Sequence, residues 1–130
     1  GVAGRLRAVE VPIGGCAGGT ILLEIRDVNA DGTPGPTVLS SETFAGIDFA
    51  APVTEAFRRL RIRGMTARFG VGDTFAISLS NIGGSCGIWR GPTGDPYSGG
   101  TGWADANDGP IVPLSLGTDR DDMPFRTFVQ

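Results

Sequence analysis

Asp27-Val28-Asn29-Ala30-Asp31-Gly32 sets three oxygen-bearing side chains at alternate positions and closes with a glycine. Such spacing lets carboxylate and amide oxygens converge on one hard cation, calcium, while the glycine allows the sharp turn between them. The twelfth position from Asp27 is Val38 rather than a bidentate acid, and Thr33-Pro34-Gly35-Pro36 follows directly. This excludes an EF-hand. Calcium held by Asp27, Asn29 and Asp31 would therefore need a further ligand, such as Glu24 or a backbone carbonyl, and its part would be structural. The second reading of the same residues is a polar hairpin connection, in which Asp-Gly supplies the turn and Asn and Asp tolerate left-handed dihedrals. Asp119-Arg120-Asp121-Asp122 repeats the choice near the other end of the chain. Three crowded carboxylates form either a solvated turn paired with arginine or a second cation site.

The aromatic residues divide by type. All seven Phe lie outside Asn81 to Pro110, whereas Trp89, Tyr97 and Trp103, the chain's complete set of Trp and Tyr, lie inside it. Phe is a core aromatic; Trp and Tyr join a flat apolar face to a polar handle. The stretch holding them is rich in Gly and Pro, so it reads as a long loop, where binding residues tend to sit on a rigid frame. Flat rings stack on the C–H faces of sugars, and Asp95, Asp105, Asn107 and Arg90 stand nearby to hydrogen-bond hydroxyls. The carbohydrate-binding set expected is thus Trp103, Tyr97, Trp89, Asp95, Asp105 and Arg90. Trp103 is read as the exposed ring. The competing reading is that Trp89 and Tyr97, and Trp103 with them, pin the loop by being buried.

Several chemistries are closed to the chain. It has no histidine, which excludes Ser-His-Asp and Cys-His catalysis and imidazole-ligated zinc. Ten Asp and four Glu offer carboxylate pairs for glycoside hydrolysis, but a small sandwich leaves little depth for an enclosed cleft, and the expectation is a domain without catalytic activity. The net charge is −3 and every basic residue is arginine, which weighs against general nucleic-acid binding. No apolar run approaches the ~20 residues of a membrane span, so no membrane insertion is expected. Cys16 and Cys86 stand 70 positions apart without a Cys-x-x-Cys spacing. With no His or third Cys to complete a metal site they read first as a disulfide in an oxidising, extracellular compartment, and second as two buried thiols.

The elements that must position these residues are short and alternate with period two. Arg5 to Val11, Thr20 to Arg26 and Thr74 to Ser80 are the clearest strands, with Ile21, Leu23 and Ile25, and Phe75, Ile77 and Leu79, as inward faces. Shorter strands are expected around 38–44, 111–114 and 125–129. Thr54 to Arg63 fits either a short helix capped by Thr54 or a strand with Leu60 and Ile62 inward and Arg59, Arg61 and Arg63 outward; Gly64 and the flanking pattern favour the strand. The arginine stripe reads as a solvated face, with polyanion binding as the sharper alternative. The 22 Gly and 9 Pro break the chain too often for long helices. Seven or eight strands with turns every ten or so residues, and at most one short helix, predict a single all-β domain over residues 1–130, an antiparallel, jelly-roll-like β-sandwich.

The order of these pieces resembles a β-sandwich accessory domain of secreted bacterial multidomain proteins, similar to carbohydrate-binding modules. The resemblance is carried by Gly4-Arg5-Leu6-Arg7-Ala8-Val9-Glu10-Val11, by Ile25-Arg26 running into Asp31-Gly32-Thr33-Pro34-Gly35, and by Gly72 to Ser80. Gly94-Asp95-Pro96-Tyr97-Ser98-Gly99-Gly100 and Met123-Pro124-Phe125-Arg126-Thr127-Phe128-Val129 complete it, so that nearly the whole chain is covered. It implies a domain excised from a longer secreted protein, tethering an attached enzyme or surface protein to a polysaccharide. A structural or adhesive spacer without a sugar site is the alternative.

Overall fold

The computed structural model describes residues 3–89 and 124–130, together with the strand backbone at 103–104 and 112–113. The chain is all-β and antiparallel. Among the described residues ten strands follow in order: β1 (Leu6–Val11), β2 (Ile13–Gly14), β3 (Thr20–Val28), β4 (Pro34–Ala45), β5 (Arg58–Arg61), β6 (Ala76–Ile82), β7 (Gly87–Ile88), β8 (Trp103–Ala104), β9 (Val112–Pro113) and β10 (Arg126–Val129). One 3-10 turn, Gly46–Phe49, is the sole helical element among the described residues.

Two three-stranded sheets carry the core. In one the order is β10-β1-β5, in the other β4-β3-β6, and two-stranded pairs join β2 to β7 and β8 to β9. Leu6, Val9, Val11 and Leu60 of the first sheet and Ile21, Leu23 and Ile25 of the second belong to one buried cluster, so the two sheets pack their apolar faces on each other as a β-sandwich-like pair. Leu6, Val9, Ile25 and Leu60 are fully buried. The alternation expected on β3 holds: Ile21, Leu23 and Ile25 face inward and the residues between them are only half-buried.

The alternation on β1 does not hold throughout. Leu6 lies opposite Val129 and Ala8 opposite Phe128, so one extra residue is accommodated between them. This bulge shifts the phase by one, which is why Leu6 and Val9 share the core although they are three positions apart. A second irregularity separates Ile25↔Ser40 from Arg26↔Val38 on β4. The ambiguous arginine-rich segment is a strand, pairing Ala8↔Arg61, Val9↔Leu60, Glu10↔Arg59 and Val11↔Arg58. Leu60 and Ile62 point into the core, and Arg59, Arg61 and Arg63 are exposed.

Two contacts fix how the sheets are closed. Glu42 on edge strand β4 shares the face of its register partner Leu23, and its Oε1 accepts the backbone N–H groups of Arg63 (2.6 Å) and Gly64 (3.1 Å) just beyond β5. A carboxylate thus latches one sheet's edge to the other's. Cys16, buried after β2, and Cys86, half-buried before β7, form a disulfide. Beside it the backbones run close together: Gly19 has φ +74, and a Cβ there would collide with the Asn81 side chain and lie 2.7 Å from the Ile82 carbonyl. Only glycine meets both demands.

Candidate functional site

The aromatic loop leaves the frame at β7. Ile13↔Ile88 and Gly14↔Gly87 pair, and the Trp89 N–H donates to the Pro12 carbonyl at 2.9 Å. The disulfide and this short ladder hold the root of the loop, and Trp89 is half-buried there. Trp103 stands on β8, where its backbone pairs with Pro113 of β9. Arg90, Asp95, Tyr97, Asp105 and Asn107 lie outside the described residues, as do Asp119, Asp121 and Asp122 and the side chain of Trp103.

The Asp27 to Gly32 segment is the hairpin tip between β3 and β4. Gly32 N–H donates to the Asn29 carbonyl and Asn29 N–H to the Thr33 carbonyl, both at 2.9 Å. Asp31 Oδ1 accepts from the Thr33 hydroxyl at 2.6 Å and from the Thr33 N–H at 3.0 Å. Those bonds hold the Asp31 carboxyl below the ordinary aspartate range, the hydroxyl contributing most. Asn29 Nδ2 donates to Thr33 Oγ1 at 2.9 Å, and Asp27 Oδ1 accepts the Thr37 N–H at 3.0 Å across the hairpin. The turn therefore uses one oxygen of each carboxylate. Glu24 is drawn off by Arg26 at 2.7 Å. Among the described residues no three His, Cys, Asp or Glu side chains gather as a metal set.

A concavity that the sequence does not reveal lies near β10 and ahead of β6. A cleft of about 400 Å³ is lined by Phe69, Gly70, Gly72, Asp73, Phe75, Thr127 and Val129. Phe69 is fastened by a two-way backbone bridge to Gly4. Its ring lies 4.7 Å from that of Phe75 at an interplanar angle of 35°. Gly70 to Asp73 form the turn between them. Gly72 supplies the positive φ of +92, and Asp73 Oδ2 accepts the Gly70 N–H at 2.7 Å. Asp73 and the exposed Thr127 add a carboxylate-bearing and a hydroxyl-bearing residue to the two aromatic ones in the lining. Both Phe are half-buried rather than the fully interior residues their type suggests. The available sequence signal was the Gly-Val-Gly-Asp turn between two Phe; its closeness to Thr127 depends on strands distant in sequence.

The outer face of the first sheet is organised by Glu10. It lies opposite Arg59 on β5 and Arg126 on β10, with contacts of 3.1 Å and 3.7 Å. Each arginine also covers a ring: Arg59 sits 3.9 Å above Phe128 and Arg126 4.0 Å above Phe57. Such planar stacking favours arginine over lysine.

Comparison of the chain with protein-family models, curated proteins and solved structures finds no match. No helix among the described residues is long and apolar enough to cross a membrane.

Proposed function

We propose that the chain is a non-catalytic carbohydrate-binding module that holds an attached enzyme or surface protein against a polysaccharide outside the cell. The observation that carries this reading is the cleft between Phe69, Phe75, Asp73 and Thr127, where apolar rings, a carboxylate and a hydroxyl line one open concavity. A sugar offers just these complements, C–H faces and hydroxyl groups, and an open cleft suits a chain that continues beyond the bound unit. Trp103, Tyr97, Trp89, Asp95, Asp105 and Arg90 are assigned as further contacts on the ground of residue type and loop position. Extracellular placement is supported by the Cys16–Cys86 disulfide. Calcium at Asp27, Asn29 and Asp31 would stiffen the hairpin and take no chemical part.

Binding of this kind raises the local concentration of an attached partner at its substrate. The test is a glycan array with insoluble-polysaccharide pull-down, run on the chain and on Asp73→Ala, Thr127→Ala and Trp103→Ala variants. Retention by a neutral glycan that Asp73→Ala weakens about tenfold is expected; no retention by any glycan from a folded, disulfide-bonded sample would leave a structural spacer as the function.

A further inference from the structure

Charge in this chain is segregated. Residues 56–72 hold five of the eleven arginines and none of the fourteen acids, so this segment carries +5 and the remainder −8. The fold then spreads the segment along a sheet edge, because β5 is an outer strand of β10-β1-β5. Arg59 and Arg61 share its outer face, at the roughly 6.8 Å interval of alternate strand residues, and Arg63 is exposed just beyond its end. Arg58 and Arg68 are exposed nearby. Among the described residues Glu10 engages Arg59, whereas Arg58, Arg61, Arg63 and Arg68 have no ion pair. Glu42, the acid that approaches Arg63, spends Oε1 on backbone N–H groups. A row of unneutralised cations on an acidic protein costs repulsion and has no structural work to do here, since Leu60 and Ile62 supply the packing.

We infer that this edge is a second binding surface, for an anionic polysaccharide bearing sulfate or carboxylate groups at regular intervals. The guanidinium fork matches both groups bidentately. Phe57 and Phe128, the rings on this face, lie under Arg126 and Arg59, so they are not open for the base stacking on which single-stranded nucleic acid relies. The disulfide is compatible with an extracellular location, where acidic glycans are abundant polyanions. This surface does not rest on the neutral-sugar cleft; it has its own residues and its own ligand.

The experiment applies the whole chain to immobilised heparin, polygalacturonate and single-stranded DNA at about 50 and about 200 mM salt. The Arg61→Gln/Arg63→Gln variant runs beside it, with its fold checked by thermal unfolding. The expected result is retention by one or both polysaccharides, reduced about tenfold by the double variant and on the order of tenfold by the added salt, as release of counterions from a few contacts requires. Preference for sulfate over carboxylate identifies the anionic group. Absence of retention at low salt, or retention that the folded double variant leaves unchanged, overturns the proposal. Tighter binding to DNA than to either polysaccharide overturns the assignment of the ligand. Asp73→Ala and Trp103→Ala are expected to leave polyanion retention intact; joint loss would mean one shared site and would also overturn it.

Discussion

Glu10 shows how one residue organises a surface. A carboxylate on a central strand meets an arginine on each side, and each arginine is held flat on a phenylalanine. Both arginines are largely exposed, so water screens the pairs, and Glu10→Gln should cost only about 0.5–1 kcal/mol in chemical denaturation. A double-mutant cycle with Arg59→Gln would recover most of that as coupling. Asp31 offers a sharper test at the same scale. Its carboxyl is lowered by the Thr33 hydroxyl and N–H, so the folded form releases its proton more readily than the unfolded one. The resulting stabilisation is present above the ordinary aspartate value of about 3.9 and is lost as pH falls below it through the folded value. NMR titration should find the Asp31 midpoint moved back toward the ordinary value in Thr33→Val; an unchanged midpoint would mean that the hydroxyl is not its partner.

Among the elements, β3 bears the greatest packing load. It is the central strand of its sheet, and Ile21, Leu23 and Ile25 meet the opposing core. Leu23→Ala should therefore destabilise the chain by about 2–5 kcal/mol, whereas the same change at Leu22, half-buried on the other face, should cost clearly less; guanidinium unfolding curves compare the two. Near the disulfide the constraint is on the backbone. Gly19→Ala combines a left-handed residue with a collision against Asn81 and Ile82, and a loss of at least about 1–3 kcal/mol is expected, visible in the same curves.

For the whole molecule the Cys16–Cys86 link is the largest single constraint on the unfolded chain. It closes a loop of 70 positions, and on the chain-entropy model a Cys16→Ser/Cys86→Ser variant should be about 4 kcal/mol less stable. The link also roots the aromatic loop through β2 and β7, so glycan retention should weaken in that variant before global unfolding sets in. Calcium has its own readout at this scale. If Asp27, Asn29 and Asp31 hold it, thermal unfolding of the calcium-loaded chain shifts downward on adding chelator; an identical melting point with and without chelator would dismiss it.

Much of the frame is legible in residue order. Period-two runs at 20–26 and 74–80, frequent Gly and Pro, and two cysteines with no His or third Cys to complete a metal site lead to an antiparallel all-β domain with a disulfide, because alternation and turn chemistry are local properties. Leu60 and Ile62 pointing inward with arginines between them follows from the same rule. Other features arise only in three dimensions. The bulge that puts Leu6 and Val9 on one face depends on β10 pairing with β1. The Glu42 latch joins residues 21 and 22 positions apart, and the cleft brings Phe69 to Thr127. Glu10 is likewise matched to two arginines by register rather than by sequence neighbourhood. The physical division is between what a few consecutive side chains decide through sterics and burial, and what long-range strand pairing decides by choosing which distant groups must share a face.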